Sequence, residues 1–178
     1  MVNLLERGTV TSGFGKRTSP TEGASSDHKG IDIVLNDPNI PSVASGRVGY
    51  VGYSSSGGNM VIVEHADGTR ATYMHMASPS TLNVGDIVKE GDTIGVQGST
   101  GISTGDHLHF QIEKNGVFLD PKTWFEENDT TGLIESVSND AKSAALGVVG
   151  HVIEFVSVLL ILVLAVVLFM KAFDIHIK

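Results

Sequence analysis

Seven histidines are spread unevenly along this chain, and their spacing suggests metal chemistry. Asp27-His28-Lys29-Gly30-Ile31-Asp32 sets His28 four residues before Asp32, so in extended chain both side chains point to one face. His107-Leu108-His109 places two imidazoles at i and i+2, again on one face, with Leu108 turned to the other. His75 ends a further strand-like run after Tyr73-Met74. Two nitrogens and one carboxylate oxygen with an open fourth position form the pattern of catalytic zinc, whereas structural sites close all four positions with protein ligands. The remaining imidazoles can then act on a water or on a developing oxyanion. Each spacing alone recurs by chance; their combination in one domain is what points to a site. His65, just before Asp67-Gly68, reads as an exposed hairpin end, and His151 and His176 flank an apolar run and read as interfacial.

The elements that must position these residues read as strands. Val48–Val51, Met60–Glu64, Thr69–Met74, Thr93–Val96 and Leu108–Ile112 are short apolar-rich runs separated by turn residues. Asp67-Gly68 and Asn115-Gly116 suit tight hairpins, because both pairs tolerate positive φ. Before residue 120 nothing sustains helical periodicity. The expectation is an all-β, mostly antiparallel domain of barrel-sandwich type.

Composition excludes several function classes. There is no cysteine, hence no disulfide framework and no thiolate zinc site. A net charge of -8 and the lack of any Lys/Arg-rich run speak against nucleic acid as a partner. An anionic polymer would have to be recognised by a shaped cleft or reached by tethering. The N-terminus has no basic start followed by an apolar stretch, so no cleavable signal peptide is expected. Phe155–Met170 is free of charge; as a helix it would be roughly 24 Å long against a hydrocarbon core of ~30 Å, so flanking residues would complete a span. The expected organisation is a domain over 1–125, a polar linker over 126–147, a transmembrane helix over 148–173 and a tail over 174–178. Lys142 lies before the span, and Lys171 and Lys178 after it, which leans towards an N-terminal domain outside the cell.

Residues Thr9 to about Phe125 resemble the M23 peptidases, the lysostaphin and LytM-type peptidoglycan endopeptidases. Val10-Thr11-Ser12-Gly13-Phe14-Gly15-Lys16-Arg17 looks like the family's opening strand, and His28-Lys29-Gly30-Ile31-Asp32 like its first zinc motif. Pro41–Val48 and Gly58–His65 resemble the hairpin core, Tyr73-Met74-His75-Met76 the strand bearing a catalytic histidine, and Val84–Gly95 with Gly101–Phe110 the last motif block. The resemblance implies zinc ligands at His28, Asp32 and His109 and catalytic roles for His75 and His107. It also implies a LytM-type fold and a peptidoglycan peptide as substrate. All these positions hold the expected residue types, so an active Zn2+ enzyme is expected.

Two departures stand out. Asp106 replaces a frequent proline before H-L-H and reads as a turn cap or else as an acidic group that perturbs the neighbouring imidazoles, and Leu35–Ile40 replaces a small-residue loop beside the expected cleft. Tyr50 and Tyr53 read either as cleft-lining or as plain strand residues. Trp124-Phe125 is expected to close the barrel end or to meet a membrane surface. The full expectation is a single-pass membrane protein whose catalytic domain faces the cell wall, touching lipid through its C-terminal helix. A variant of it is a lysin in a virion membrane, with virion or membrane protein partners. The competing class is a non-catalytic adaptor, because Val84–Gly95 also resembles the glycine-punctuated hairpins of biotinyl-type domains.

Overall fold

The computed structural model describes residues 1–128 and Leu162. Its compact unit takes in Met1–Asp129. A turn of 3-10 helix, Leu4–Glu6, precedes β1 (Gly8–Ser12), β2 (Gly15–Lys16), β3 (Asp27–His28), β4 (Ile31–Leu35), β5 (Asn39–Pro41) and β6 (Gly46–Ser54). Then come β7 (Gly58–His65), β8 (Thr69–Met76), β9 (Ile87–Val88), β10 (Thr93–Val96), β11 (Leu108–Lys114) and β12 (Val117–Leu119), and the helix α1 (Pro121–Asn128). Every strand expected from alternation is present, most of them extended by a few residues.

The main sheet has eight strands in the order β1-β4-β11-β8-β7-β6-β9, with β12 beside β11. All its pairings are antiparallel. It is not closed into a barrel, and the chain continues into the helix α1 packed on the sheet, so the expected all-β barrel-sandwich is corrected to an open sheet with one helix. β1 and β9 are its free edges, and β11 shares one flank between β4, along Leu108–Phe110, and β12, along Ile112–Lys114. A barrel would need β1 and β9 to pair with each other, and each has a strand neighbour on one side only. The β5–β10 ribbon contributes Ile40 and Ile94 to the core, and β2–β3 forms a second small ribbon.

Alternation decides which face each side chain takes. Leu108, Phe110 and Ile112 of β11 and Ile31, Ile33 and Leu35 of β4 go to the core with Val61, Val63 and Tyr73. His109 and Asp32 are therefore turned to the opposite face, where the site lies. The Tyr73 hydroxyl accepts from the Val43 backbone N–H at 3.0 Å; burial pushes its pKa up, since the phenolate would be desolvated.

α1 lies across β11. Phe125 is fully buried and stacks on Phe110 with ring centroids 5.6 Å apart, while Trp124 meets Phe125 edge-on at 5.1 Å. The pair seals the core, and each large buried side chain contributes about 1.5–3 kcal/mol. A membrane-surface role for Trp124-Phe125 is thereby excluded.

The expected transmembrane helix over 148–173 lies outside the described residues, as do His151 and His176. Among the described residues no helix is long and apolar enough to cross a membrane. α1, the one α-helix with described bounds, is about 12 Å long, less than half of a ~30 Å span. The membrane anchor, lipid as a partner, the single-pass location and the virion-membrane variant are accordingly withdrawn.

Candidate active site

The register of the sheet brings the site together. In the β4–β11 ladder His109 stands opposite Asp32, so the two share a face at the closest cross-strand spacing. β3 then delivers His28 from beside them. Between β3 and β4 the chain runs against β11 so tightly that a Cβ on Gly30 would lie 2.2 Å from the Phe110 carbonyl oxygen. Only glycine permits that approach, and the approach carries the His28 ring onto His109, with centroids 4.8 Å apart.

His109 Nδ1 lies 2.7 Å from Asp32 Oδ1, His28 Nε2 lies 3.1 Å from the same oxygen, and the two nitrogens are 2.9 Å apart. His28 is held in its ring orientation by donating from Nδ1 to the Gly13 carbonyl at 2.6 Å, which leaves Nε2 as a lone pair. At most one proton fits among the three converging atoms, so lone pairs face lone pairs in a buried place. A divalent cation resolves that arrangement, and two imidazoles with one carboxylate suit zinc. His28, Asp32 and His109 could thus hold a zinc ion. Burial would raise the Asp32 carboxyl, but contacts with His109, His28 and Arg17 outweigh it and hold it far below the usual carboxylate range. Burial pushes His109 down, against the pull of Asp32.

His75 and His107 stand beside this cluster. Their ring centroids are 4.8 Å apart, and His75 is 5.9 Å from His109. His75 Nδ1 donates to the Thr100 carbonyl at 2.7 Å, and His107 Nδ1 donates to the Gly105 carbonyl at 2.7 Å. Each ring leaves Nε2 without a hydrogen-bond partner among the described residues, and His107 Nε2 lies 3.6 Å from Asp32 Oδ1. Burial lowers the pKa of His75 to about 4, so the ring is neutral at pH 7.

His75 also has φ 63, rare for a residue with a side chain, and its N–H donates to the Gly57 carbonyl at 2.8 Å. The turn behind it interlocks with the Thr100 loop. A Cβ on Gly58 would fall 2.4 Å from the Thr100 carbonyl oxygen, which is the acceptor that orients His75. Thr100 is itself fixed by its hydroxyl, which donates to the Met76 carbonyl at 2.7 Å and accepts from the Asn59 N–H at 3.0 Å.

The five polar residues line one cavity of about 830 Å3, walled by the loops before β3 and before β11. Asp106 is exposed at its rim and makes no side-chain hydrogen bond among the described residues, so it does not cap a turn. Leu35–Ile40 does not border the cavity: Asp37 turns the chain by accepting from Asn39, and the segment leads into β5. Tyr50 and Tyr53 are exposed residues of β6 outside the cavity. His65 is buried rather than exposed. Arg17, quoted above only as part of the opening strand, contacts Asp32 Oδ2 at 2.7 Å. An arginine two residues beyond a Gly-x-Gly turn in an acidic chain was the available signal.

The family model described as peptidase family M23 matches residues 26–121. The chain belongs to peptidase family M23. It is similar to an uncharacterized metalloprotease of Haemophilus influenzae, 36% identical over 123 residues, which are 67% of this chain and 26% of that protein. It is also similar to the peptidoglycan DD-endopeptidase ShyC of Vibrio cholerae, 34% identical over 117 residues, 64% of this chain and 27% of that protein. Among solved structures, the catalytic domain of the antimicrobial peptidase lysostaphin from Staphylococcus simulans superposes with a TM-score of 0.59 at 34% identity, covering 67% of this chain and 92% of that one. The M23 chain thus spans about a quarter of the length of these curated relatives. Its described domain is a zinc metalloendopeptidase domain of the M23 type.

Proposed function

We propose that this M23 chain hydrolyses peptide cross-links of bacterial peptidoglycan, with His28, Asp32 and His109 holding zinc and with His75 and His107 as the catalytic pair. The observation that carries the reading is the convergence of three lone pairs beside two further imidazoles whose Nε2 atoms are free. Zinc in that place supplies a Lewis acid for the peptide carbonyl and lowers the pKa of a water towards about 7.

The protein's own groups do the rest. A neutral imidazole accepts the water proton at Nε2 as oxygen attacks the carbonyl carbon. The same proton then passes to the leaving amine as the C–N bond breaks, so the ring ends as it began. The other imidazole, when it carries a proton on Nε2, donates to the developing oxyanion. His75 suits the neutral role because burial keeps it unprotonated. The described cavity wall between the two loops would shape the choice of peptide. The activities of the relatives, a peptidoglycan endopeptidase and an antimicrobial peptidase, support the substrate class.

The adaptor reading loses its footing in the fold. Val84–Gly95 supplies β9 to the edge of the main sheet and β10 to the β5 ribbon, which is a packing role that leaves the polar cluster unexplained.

Digestion of purified peptidoglycan by the full chain, with mass analysis of the released fragments, tests the proposal. One zinc per chain and new amine and carboxyl ends on the cross-link peptides are expected, both lost on chelation. Glycan cleavage alone, or undiminished hydrolysis with the metal shown to be gone, would sink it.

A further inference from the structure

The two oxygens of Asp32 keep different company. Oδ1 faces His109, His28 and His107 at 2.7, 3.1 and 3.6 Å. Oδ2 takes Arg17 Nη1 at 2.7 Å and no other hydrogen bond among the described residues. Arg17 is not a loose surface cation. Nη1 also donates to the Ser12 hydroxyl, Nε donates to the Ser25 carbonyl at 3.3 Å, and the backbone N–H donates to the Ser26 carbonyl at 2.9 Å. Its side chain is 18% exposed and lines the cavity.

A carboxylate can bind a cation through one oxygen or through both. A charged N–H on Oδ2 takes up one of its lone pairs and fixes the plane of the group. We infer that Arg17 is a positioning residue that restricts Asp32 to binding zinc through Oδ1 alone. A site held to three donor atoms keeps its remaining position for water and substrate, whereas a carboxylate bound through both oxygens would crowd it. Outer contacts of this kind commonly change metal affinity or activity by about 10–100-fold when removed. The anchor lies just after β2, so the opening strand-turn that leads into the cleft wall also sets the coordination of the metal.

The inference rests on reading the cluster as a metal centre, and its test reports on coordination rather than on turnover alone. Full-length wild type, Arg17→Met and Arg17→Lys are loaded with Co2+ in place of zinc, and the visible absorption is recorded. Four-coordinate Co2+ absorbs several-fold more strongly than five- or six-coordinate Co2+. Arg17→Met, which has no donor, should lose intensity at full metal occupancy and lose about 10–100-fold in turnover with zinc. Arg17→Lys, which keeps a charged donor, should stay close to wild type. An Arg17→Met spectrum identical to wild type overturns the inference, as do equal changes in both variants. An Arg17→Met chain that cannot fold with metal bound makes Arg17 structural and overturns it too. Failure of wild type to take up either metal would instead overturn the metal-centre reading.

Discussion

The β7–β8 hairpin carries a buried histidine at each end, and the two differ in company. At the cleft end His75 donates to Thr100, sits 4.8 Å from His107 and keeps its second nitrogen turned to shared space. At the turn end His65 is as deeply buried, with Nδ1 3.1 Å from the Ser45 carbonyl oxygen, yet Nε2 has no hydrogen-bond partner among the described residues. Burial is therefore common to both and marks neither as functional. What separates them is convergence: β3 and β4, together with the sequence-distant β11, bring metal-binding atoms to one point beside His75, and no such group of described residues stands beside His65. The backbone agrees, since positive φ occurs at His75 and not at His65.

The largest effects should come from breaking the convergent end. His109→Ala is expected to empty the metal site and abolish hydrolysis, whereas His75→Ala and His107→Ala should keep zinc and lose about 10²–10⁴-fold in turnover. Metal analysis beside rate measurements on purified peptidoglycan separates these classes. If His107→Ala empties the site and His109→Ala leaves it filled, the two histidines have exchanged roles.

An intermediate effect follows from burial of neutral imidazole. His75 is held at about 4 against an ordinary 6.5. Above 6.5 both the folded and the unfolded chain leave it neutral, and it adds no slope. Between 6.5 and about 4 the unfolded chain takes up a proton that the folded chain refuses, so stability falls as pH falls. Below about 4 both carry the proton and the loss is complete. His109 works in the same direction. Asp32, held low, adds to the acid loss only beneath its unfolded value of 3.8, where its stabilisation falls away as pH falls further. Metal-free protein should therefore show a thermal midpoint that is level above pH 6.5 and declines towards pH 4. His75→Gln should decline less steeply; an unchanged slope would mean that His75 is not held neutral.

The smallest effect belongs to the turn end. His65→Leu removes the unpartnered nitrogen and also the contact with Ser45, changes that oppose each other at about 1 kcal/mol apiece. Urea unfolding should place the variant within about 1 kcal/mol of wild type, with zinc content and turnover unaltered. A tenfold fall in turnover would show the two ends to be coupled and would undo the contrast.

The sequence by itself determined five of the twelve strands, the two hairpin turns and the faces of the metal-binding side chains. These follow from local rules: alternation places i and i+2 on one side, and Asp-Gly and Asn-Gly admit the backbone that a tight turn demands. That is why His107-Leu108-His109 and His28…Asp32 were legible as parts of a site. Tertiary structure alone decided which strands became neighbours. Arg17, just after β2, meets Asp32 of β4, Phe125 folds back onto Phe110 with Trp124 against it, and β1 and β9 stay unpaired with each other, leaving the sheet open. His65 is buried because Gly46 of β6 is registered opposite it. Each of these depends on pairing between segments distant in the chain. Periodicity reports only the side of the backbone that a residue takes, never the partner it will meet there.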